Sequence, residues 1–433
     1  MAEELIAFPS KAEMLDRSRQ FWNPDKTQFW VDSGVPLVID RREGYFIYDV
    51  GGKRLIDVHL NGGTYNLGHR NPEVTAAVTA AMQRFDIGNH HFPSLARTAL
   101  AEALVNTAPP GLAKVVFGSG GGEAIDIALK TARHATKKRR IVSVAKAYHG
   151  HTGLAVATGD DRFATLFLAD RPDEFTHVPF NDLAAMEDAL RGRDVAAVIM
   201  ETIPATYGFP LPAPGYLEGT KKLCERYGAL YIADEVQTGL GRTGRLWGVE
   251  TFGVKPDILV TGKGLSGGIY PIAATVISDR AGVWLREYGW GHVSTFGGSE
   301  LGCRVAQTVL DITTRASTRE SVQRLTDTFA GRLAEIAHRN PYLDQIRQCG
   351  LVIGLKVDHP NGGVYLQQEL FERGVWAIAS GFESSVLQFK PGLLLAPDDA
   401  DLVLDRLEAA LDRAKDIDRP VPSRHGAPAA ARR

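Results

Sequence analysis

Short apolar runs alternate with helical patterns between about residues 70 and 310, and this alternation restricts the fold more than any other feature. Each run is long enough for one buried strand, and the stretch that follows it has the apolar spacing of a helix. Strands connected through helices form a mostly parallel sheet that is covered by helices on both faces. The predicted strands are 114–117, 140–144, 195–200, 229–233, 258–260 and 272–277.

Smaller units are predicted on either side of this sheet. Residues 42–58 are typical of two short strands around the Gly51-Gly52 turn. Near the C-terminus, helices at 301–314 and 317–339 are followed by a strand, a helix, a strand and a helix at 351–357, 364–373, 386–389 and 398–415. We predict an N-terminal segment whose hairpin packs near the small domain (1–65), a large ligand-binding domain (66–312), a small C-terminal α/β domain (313–418) and a disordered tail (419–433).

Composition excludes several classes of protein. The chain has 433 residues, of which 44% are hydrophobic, and a net charge of −2, so it lacks the basic patch of a nucleic-acid-binding protein. Three scattered cysteines are too few for a disulfide framework or a zinc cluster. The first residues lack the pattern of a signal peptide, and no run reaches the roughly 18 apolar residues of a membrane span. We therefore predict a soluble cytoplasmic protein that binds neither nucleic acid nor membranes.

An acid and a lysine, Asp234 and Lys263, each follow an apolar run. Ligand chemistry in open α/β sheets gathers beyond the carboxyl ends of the strands. Pyridoxal phosphate needs both residue types, because a lysine forms a Schiff base with its aldehyde and an acid keeps its pyridine nitrogen protonated. The other readings are a surface lysine and a helix-capping acid. A phosphate-loop lysine is excluded, because Asp257 and Gly264 stand where that motif needs glycine and a hydroxyl residue.

A glycine turn, Ser119-Gly-Gly-Gly-Glu123, leads from a predicted strand into an amphipathic helix. Bare backbone amides at a helix start can hold a phosphate, although a plain strand-to-helix turn would have the same sequence. A dinucleotide fingerprint fails, because its last glycine would fall at Glu123. Tyr148 follows another predicted strand, where its ring could stack on a planar cofactor or simply pack on the core. Thr295 is a hydroxyl in a glycine-rich loop, which suits a phosphate or a helix cap.

Taken in order, these motifs resemble the class III (subgroup II) aminotransferases of fold type I, the family of the ornithine, acetylornithine, 4-aminobutyrate and omega-amino-acid enzymes. The resemblance covers about residues 35 to 410. The matching segments are Glu43-Gly44 with Asp49 and Asp57, Leu67-Gly-His-Arg-Asn-Pro-Glu-Val, Gly120-Gly-Gly-Glu-Ala, Tyr148-His-Gly, Ile232-Ala-Asp-Glu-Val-Gln-Thr-Gly-Leu-Gly-Arg-Thr-Gly, Pro256-Asp-Ile, Gly262-Lys-Gly-Leu and Ser294-Thr-Phe-Gly-Gly. The resemblance implies a large domain with a mostly parallel sheet covered by helices and a smaller α/β C-terminal domain.

The resemblance also implies a pyridoxal 5′-phosphate enzyme that moves amino groups from an amine or amino acid to a carbonyl acceptor in ping-pong half-reactions. Lys263 would form the Schiff base and shuttle the proton, Asp234 would pair with the pyridine nitrogen, and Tyr148 would stack on the ring. The same scaffold also hosts racemases, decarboxylases and lyases, which remain the alternative. A nucleotide-binding protein without this cofactor is disfavoured by the failed fingerprints.

Further cofactor contacts are implied by the same matches. Val236 would pack on the second ring face, Gln237 would reach the ring hydroxyl, and Glu201 would lie beside the cofactor. The backbone amides of Gly121 and Gly122 would bind the phosphate.

Thr295 would reach the same phosphate from the neighbouring subunit. The resemblance thus implies an obligate homodimer with active sites at the interface.

The substrate residues depart from the family pattern. Relatives that clamp an α-carboxylate commonly place arginine where this chain has Gln388, and some pair it with a glutamate where this chain has Thr206. We therefore expect a principal substrate other than an ordinary α-amino acid held by a bidentate arginine. Candidate substrate residues are Trp22, Tyr65, Gln388 and Lys390, and the last could still bind a carboxylate. Nothing in the sequence identifies the donor or the acceptor.

Overall fold

The computed structural model describes residues 10–422 of the chain. The strands are β1 (Ile39–Glu43), β2 (Phe46–Asp49), β3 (Arg54–Asp57), β4 (Leu112–Gly118), β5 (Arg140–Val144), β6 (Phe175–Val178), β7 (Val195–Glu201), β8 (Leu230–Asp234), β9 (Ile258–Thr261), β10 (Ala273–Ser278), β11 (Leu343–Cys349), β12 (Val352–Val357), β13 (Val375–Trp376), β14 (Ile378–Ala379) and β15 (Val386–Phe389).

Helices fill most of the remaining chain. They are α1 (Lys11–Phe21), α2 (Pro24–Asp32), α3 (Leu60–Gly63), α4 (Pro72–Ala81), α5 (Leu95–Thr107), α6 (Gly121–Thr136), α7 (Gly153–Thr158), α8 (Asp161–Thr165), α9 (Leu183–Leu190), α10 (Tyr216–Tyr227), α11 (Gly248–Thr251), α12 (Trp284–Glu287), α13 (Glu300–Thr314), α14 (Ala316–Arg339), α15 (Gly362–Glu372) and α16 (Pro397–Ala414). Short 3₁₀ turns occupy Lys263–Ser266 and Ala281–Val283.

The central sheet has the strand order β4-β10-β9-β8-β7-β5-β6. Strand β10 is antiparallel to both of its neighbours, whereas the other neighbouring pairs from β9 to β6 are parallel. The prediction of a mostly parallel, helix-covered sheet is confirmed. Every residue of β7 and β8 is buried, because hydrophobic clusters lie on both faces of the sheet.

Five strands lie outside the sequence prediction: β1, the two-residue strands β13 and β14, and the longer β6 and β11. β6 has only four residues, and Thr176 and His177 interrupt its apolar character. β11 has the sequence Leu-Asp-Gln-Ile-Arg-Gln-Cys and exposes most of its side chains to some degree. Neither segment contains a continuous apolar run, so the criterion used for the other strands misses both.

The N-terminal hairpin β2–β3 joins the C-terminal part of the chain. β3 pairs in parallel with β13, where Ile56 faces Val375, and forms the sheet β1-β2-β3-β13. Strands β11, β12, β15 and β14 form a third sheet in that order. A single hydrophobic cluster contains residues of the N-terminal segment, α13, α14 and the C-terminal region. The domain boundaries stay predictions; the one after 312 falls within α13, and the predicted tail lies outside the described residues from 423 onward.

Strand register determines which residues meet at the carboxyl edge of the central sheet. Glu201 is aligned with Asp234 across β7 and β8, and Asp234 is aligned with Val260 across β8 and β9. Lys263 follows three residues after Val260, at the start of a 3₁₀ turn. None of the helices between residues 10 and 422 has the length and apolarity needed to cross a bilayer.

Candidate active site

Two carboxyl groups and an amine lie at the carboxyl edge of the sheet. Glu201 and Asp234 end neighbouring strands and are 6% and 5% exposed. Burial lowers the pKa of Lys263, while the negative charges of Asp234 and Glu201 act in the opposite direction. The amine therefore lies within the field of two acids that come from adjacent strands.

Lys263 is held in an unusual backbone conformation next to a glycine. Its φ is 39°, a region that residues with side chains rarely adopt. Gly62 approaches so closely that a methyl group there would lie 3.0 Å from Lys263 Cε and from Gln237 Oε1. Any side chain at 62 would thus displace the lysine or the glutamine, so the local backbone is adapted to the position of the amine.

Asp234 is oriented by a histidine that the sequence analysis does not single out. His149 Nδ1 lies 2.7 Å from Asp234 Oδ2, and Val236 N donates to Asp234 Oδ1 at 3.0 Å. His149 is 3% exposed, and its Nε2 has no hydrogen-bond partner within residues 10–422. The sequence does offer one indication of this residue: His149 follows Tyr148, just after a strand of the same sheet. The contact with His149 and the bond from Val236 N fix the orientation of the Asp234 carboxyl group.

Glu201 links the carboxyl edge of the sheet to Tyr148. Its two oxygens accept from Tyr148 N at 3.0 Å and from Ala205 N at 3.1 Å. Burial raises the pKa of Glu201 to about 6, the charge of His149 opposes this rise, and Asp234 adds to it. The Tyr148 ring packs against Phe163 with centroids 5.7 Å apart. Burial raises the pKa of Tyr148 and the nearby acids act in the same direction, so its hydroxyl stays protonated.

The glycine turn forms the start of α6. Gly120 caps this helix without a side chain, so no capping group competes for the amides of Gly121 and Gly122. The Glu123 carboxylate accepts from Ser119 N and Ser119 Oγ, both at 2.7 Å, and thereby holds the turn closed. Free amides at a helix start bind phosphate well.

The residues of this edge fit pyridoxal phosphate. Gln237 Nε2 is buried and, among the described residues, has no hydrogen-bond acceptor, which suits a donor to a ring hydroxyl. Lys263 would supply the amine, Asp234 the acid for a ring nitrogen, and α6 the amides for a phosphate. Val236, which follows Asp234 and Glu235, is partly buried against the cluster on one face of the sheet.

Thr295 lies elsewhere in the protomer, in an exposed loop. Its neighbours Val293 and Phe296 are 52% and 58% exposed. This loop precedes α13 and contains the Ser294-Thr-Phe-Gly-Gly motif.

The candidate substrate residues Gln388 and Lys390 lie together in the interior. Gln388 Nε2 donates to Ala205 O at 2.6 Å, and Lys390 Nζ donates to Gln388 Oε1 at 2.7 Å. Lys390 is fully buried, and its ammonium lies 5.2 Å from the centroid of the Phe209 ring. The structure thus brings position 388 next to the 205–206 segment, where Thr206 Oγ1 is buried without a hydrogen-bond partner in the described part of the chain.

The other two candidates occupy different surroundings. The centroids of the Tyr65 and His69 rings are 4.0 Å apart, and the edge of the Tyr65 ring packs against Gly268. Trp22 follows α1 and is 68% exposed, with Lys26 Nζ 5.3 Å from its ring centroid. Within one protomer, Trp22 is therefore a surface residue.

The comparisons with known proteins agree on one family. The family model of class-III aminotransferases matches residues 30–411. An uncharacterized aminotransferase from Archaeoglobus fulgidus is 42% identical over 93% of this chain and 95% of its own length. An acetylornithine aminotransferase from Methanothermobacter thermautotrophicus is 32% identical over 86% of this chain and 93% of its own length.

A similar solved structure is the ornithine aminotransferase from Toxoplasma gondii. It has a TM-score of 0.86 and 26% identity, and the alignment covers 94% of this chain and 96% of that one. The family match spans the acid edge, the lysine and the glycine turn together. This chain therefore belongs to the class-III aminotransferases of fold type I and is a pyridoxal-phosphate-dependent transaminase.

Proposed function

We propose that Lys263 is the residue that attaches the cofactor and then moves the substrate proton through its Nζ. The observation that carries this proposal is the position of the amine beside Asp234 and Glu201, where burial lowers its pKa. A lysine with a lowered pKa is more readily available as a nucleophile and as a proton acceptor than an ordinary lysine.

The surrounding residues have complementary roles in this proposal. When bound, pyridoxal phosphate supplies an electron sink for a carbon that has lost its proton. Asp234, oriented by His149, would hold a proton on the ring nitrogen, and Tyr148 and Val236 would hold the ring between them. Gln237 would donate a hydrogen bond to the ring hydroxyl. Glu201 fixes the backbone of Tyr148 through the 3.0 Å hydrogen bond to its amide.

The phosphate has two proposed sources of hydrogen bonds. The amides of Gly121 and Gly122 belong to the same subunit, and the Thr295 hydroxyl comes from the neighbouring subunit of an obligate homodimer.

Support for the dimer comes from exposed apolar side chains on two adjoining segments: Ile87, Phe92, Leu95, Trp290, Val293 and Phe296. The segments are joined by a bond from Glu300 N to Ile87 O and by the rings of His91 and Trp290, 5.2 Å apart. An apolar surface of this kind is typical of a subunit interface.

The proposed principal substrate is not an ordinary α-amino acid held by an arginine clamp. Position 388 has a carboxamide, and both ends of this group are engaged, with Ala205 O and Lys390 Nζ. A carboxamide cannot provide the charged, two-pronged contact that guanidinium makes with a carboxylate. An amine or carbonyl compound with fewer charges near the reacting carbon suits this surface better.

Gln388→Arg tests the substrate proposal. We expect kcat/KM for glutamate to rise about tenfold relative to a neutral amine donor, because a guanidinium would add a carboxylate contact. Gln388→Met is the matched control, since it removes the amide without adding charge. An unchanged glutamate preference in the arginine variant would contradict the proposal.

A donor screen tests the function itself. Purified enzyme is mixed with single donor amines and then with carbonyl acceptors, and the visible spectrum is followed. A transaminase converts stably to the pyridoxamine form with the donor and returns with the acceptor. A racemase, decarboxylase or lyase recovers its starting spectrum without an acceptor, and that result with every active donor would refute transamination as the main reaction.

The cytoplasmic location also remains part of the proposal. Its support is that Cys224, Cys303 and Cys349 are free, which is usual in a reducing compartment. Cell fractionation with an antibody against the chain would test it.

A further inference from the structure

We propose that Asp57 is a positioning residue for Lys263, because its carboxyl group holds a left-handed turn whose glycine backbone lies against the lysine side chain. The turn is the short segment α3, Leu60–Gly63. The inference rests on the proposed function, in which the Lys263 amine attaches the cofactor and moves the substrate proton. It gives a role to an acid that belongs to the family pattern but is not among the proposed cofactor or substrate residues.

The backbone of this turn is unusual. All four of its residues have positive φ angles, which are 52° for Leu60, 49° for Asn61, 71° for Gly62 and 95° for Gly63. Residues with side chains rarely adopt this region, because Cβ comes too close to the following carbonyl oxygen, and they do so singly rather than in runs. A run that begins with leucine and asparagine therefore needs contacts from the surrounding structure to keep it in place.

The Asp57 carboxyl group supplies such contacts at both ends of the turn. Its Oδ1 accepts hydrogen bonds from His59 N at 2.9 Å and from Leu60 N at 2.7 Å, where the chain enters the turn. Its Oδ2 lies 2.9 Å from Nε2 of His69, which belongs to the segment that follows the turn. Asp57 and His69 are each 2% exposed, so water competes little for these contacts. One buried carboxyl group thus connects the entry and the exit of the turn.

The base of the turn is fixed to the C-terminal part of the chain. Asp57 ends β3 and is aligned with Trp376 of β13. Val58 N donates to Trp376 O at 2.9 Å, and Lys390 N donates to Val58 O at 2.6 Å. The backbone at the start of the turn therefore has little freedom, and the carboxyl group acts from a defined place.

The other side of the turn faces Lys263. A methyl group at Gly62 would lie 3.0 Å from Lys263 Cε and 3.5 Å from its Cδ, so the backbone of this glycine borders the lysine side chain itself. The residue after the lysine is bordered as well, because a methyl group at Gly264 would lie 3.1 Å from Gly63 O. A turn held by Asp57 thus limits the directions in which the amine can move, and release of the turn would let the amine leave its place at the sheet edge.

A second acid in the same segment provides a matched control. Asp49 ends β2, is 5% exposed and accepts hydrogen bonds from two backbone amides, at 2.7 and 2.6 Å. It lies at the hairpin turn that contains Gly52, where φ is 85° and a methyl group would meet nothing within 4 Å. This acid and its glycine repeat the arrangement of Asp57 and Gly62, but without Lys263 beside the glycine.

The test separates attachment of the cofactor to the amine from binding of the cofactor to the site. Apoenzyme is mixed with pyridoxal phosphate, and the rate of covalent attachment is followed by visible absorbance. Binding without attachment is measured with pyridoxine 5′-phosphate, which has an alcohol in place of the aldehyde, through quenching of protein fluorescence. Asp57→Ala and Gly62→Ala should each slow attachment about tenfold more than they weaken binding of the alcohol, because the amine is no longer held in position.

Three further variants sharpen the comparison. Asp49→Ala and Gly52→Ala should attach the cofactor at the wild-type rate. Asp57→Asn keeps an oxygen that can accept from the two amides at the entry of the turn, so it should restore most of the rate. Circular dichroism reports whether each variant folds, and Gly62→Ala keeps the test decisive if Asp57→Ala does not.

Lys263→Ala distinguishes failure of this inference from failure of the proposed function. Borohydride fixes the attached cofactor, and mass spectrometry identifies the modified peptide. If attachment persists at another residue in Lys263→Ala, the proposed role of Lys263 fails. If attachment requires Lys263, but Asp57→Ala and Gly62→Ala attach the cofactor at the wild-type rate or lose rate and affinity in parallel, Asp57 has no positioning role.

Discussion

Two lysines with little exposure, the partly buried Lys263 and the fully buried Lys390, show how differently the same side chain can be used in this fold. Lys263 lies at the carboxyl edge of the central sheet, in the field of Asp234 and Glu201. Lys390 follows β15, where its ammonium contacts the Gln388 carboxamide at 2.7 Å and faces the Phe209 ring. The first amine lies in the electrostatic field of two acids, whereas the contacts of the second include an amide oxygen and an aromatic ring.

The difference teaches that burial alone does not define a catalytic lysine. Burial lowers the pKa of Lys263, and the charges of acids from two adjacent strands oppose this. The close approach of Gly62 gives the amine a defined position. At Lys390, the oriented amide and the aromatic face are typical of a structural or recognition role. Substitutions of the two lysines can break or sharpen this contrast, and a third substitution tests how burial acts on the acid that follows Asp234 in the chain.

Lys263→Ala should have the largest effect. Under the proposed role, removing the amine abolishes both cofactor attachment and proton transfer, so we expect the rate of the donor half-reaction to fall by about 10⁴-fold. Single-turnover absorbance measurements with an active donor provide the rate. Lys114→Ala, at an exposed lysine whose nearest acid is Asp279, is the matched control and should keep full activity. Full turnover by Lys263→Ala would disprove the assignment.

Glu235→Gln tests the acidic character of the edge. Burial raises the pKa of Glu235 to about 7 from 4.5, although hydrogen bonds from Thr202, Gly248 N and Val249 N oppose this. The folded protein thus keeps a proton that the unfolded chain loses. The stabilisation is complete below pH 4.5 and is lost as the pH rises through 7, for a total of about 3 kcal/mol.

Urea unfolding at several pH values measures this effect. The free energy of unfolding of the wild-type protein, relative to Glu235→Gln, should fall by about 3 kcal/mol between about pH 4.5 and 8, because glutamine does not titrate. A constant difference across this range would mean that Glu235 is ionised in the folded protein throughout.

Lys390→Met should have the smallest effect and the most selective one. If the ammonium serves recognition, we expect KM to rise about tenfold for substrates that carry a carboxylate, with a much smaller change for neutral amines. Lys390→Arg, which keeps the charge, should restore part of the affinity. A large fall in kcat for every substrate would instead place Lys390 in the chemistry and remove the contrast with Lys263.

The residues that gather at the carboxyl edge of the sheet are easier to predict from the sequence than the surroundings of Gln388, for a physical reason. Buried parallel strands are continuous apolar runs, and the residues after them must meet at one edge, so Asp234 and Lys263 can be related without coordinates. His149 was missed because its role depends on a contact across strands. The hydrogen bond from Gln388 depends on Ala205 O, which is far from Gln388 in the chain. Such non-local contacts leave no periodic signal.

The parallel pairing of β3 with β13 has a consequence for biosynthesis. The hairpin is synthesised well before its sheet partner β13, and the nearby ion pair of Lys53 and Glu372 spans 319 residues. Until β13 is made, one edge of β3 has unpaired backbone groups, which is a risk for pairing with other chains. Completion of this sheet must therefore wait until the whole cofactor-binding core, which lies between the two strands in the chain, has been synthesised.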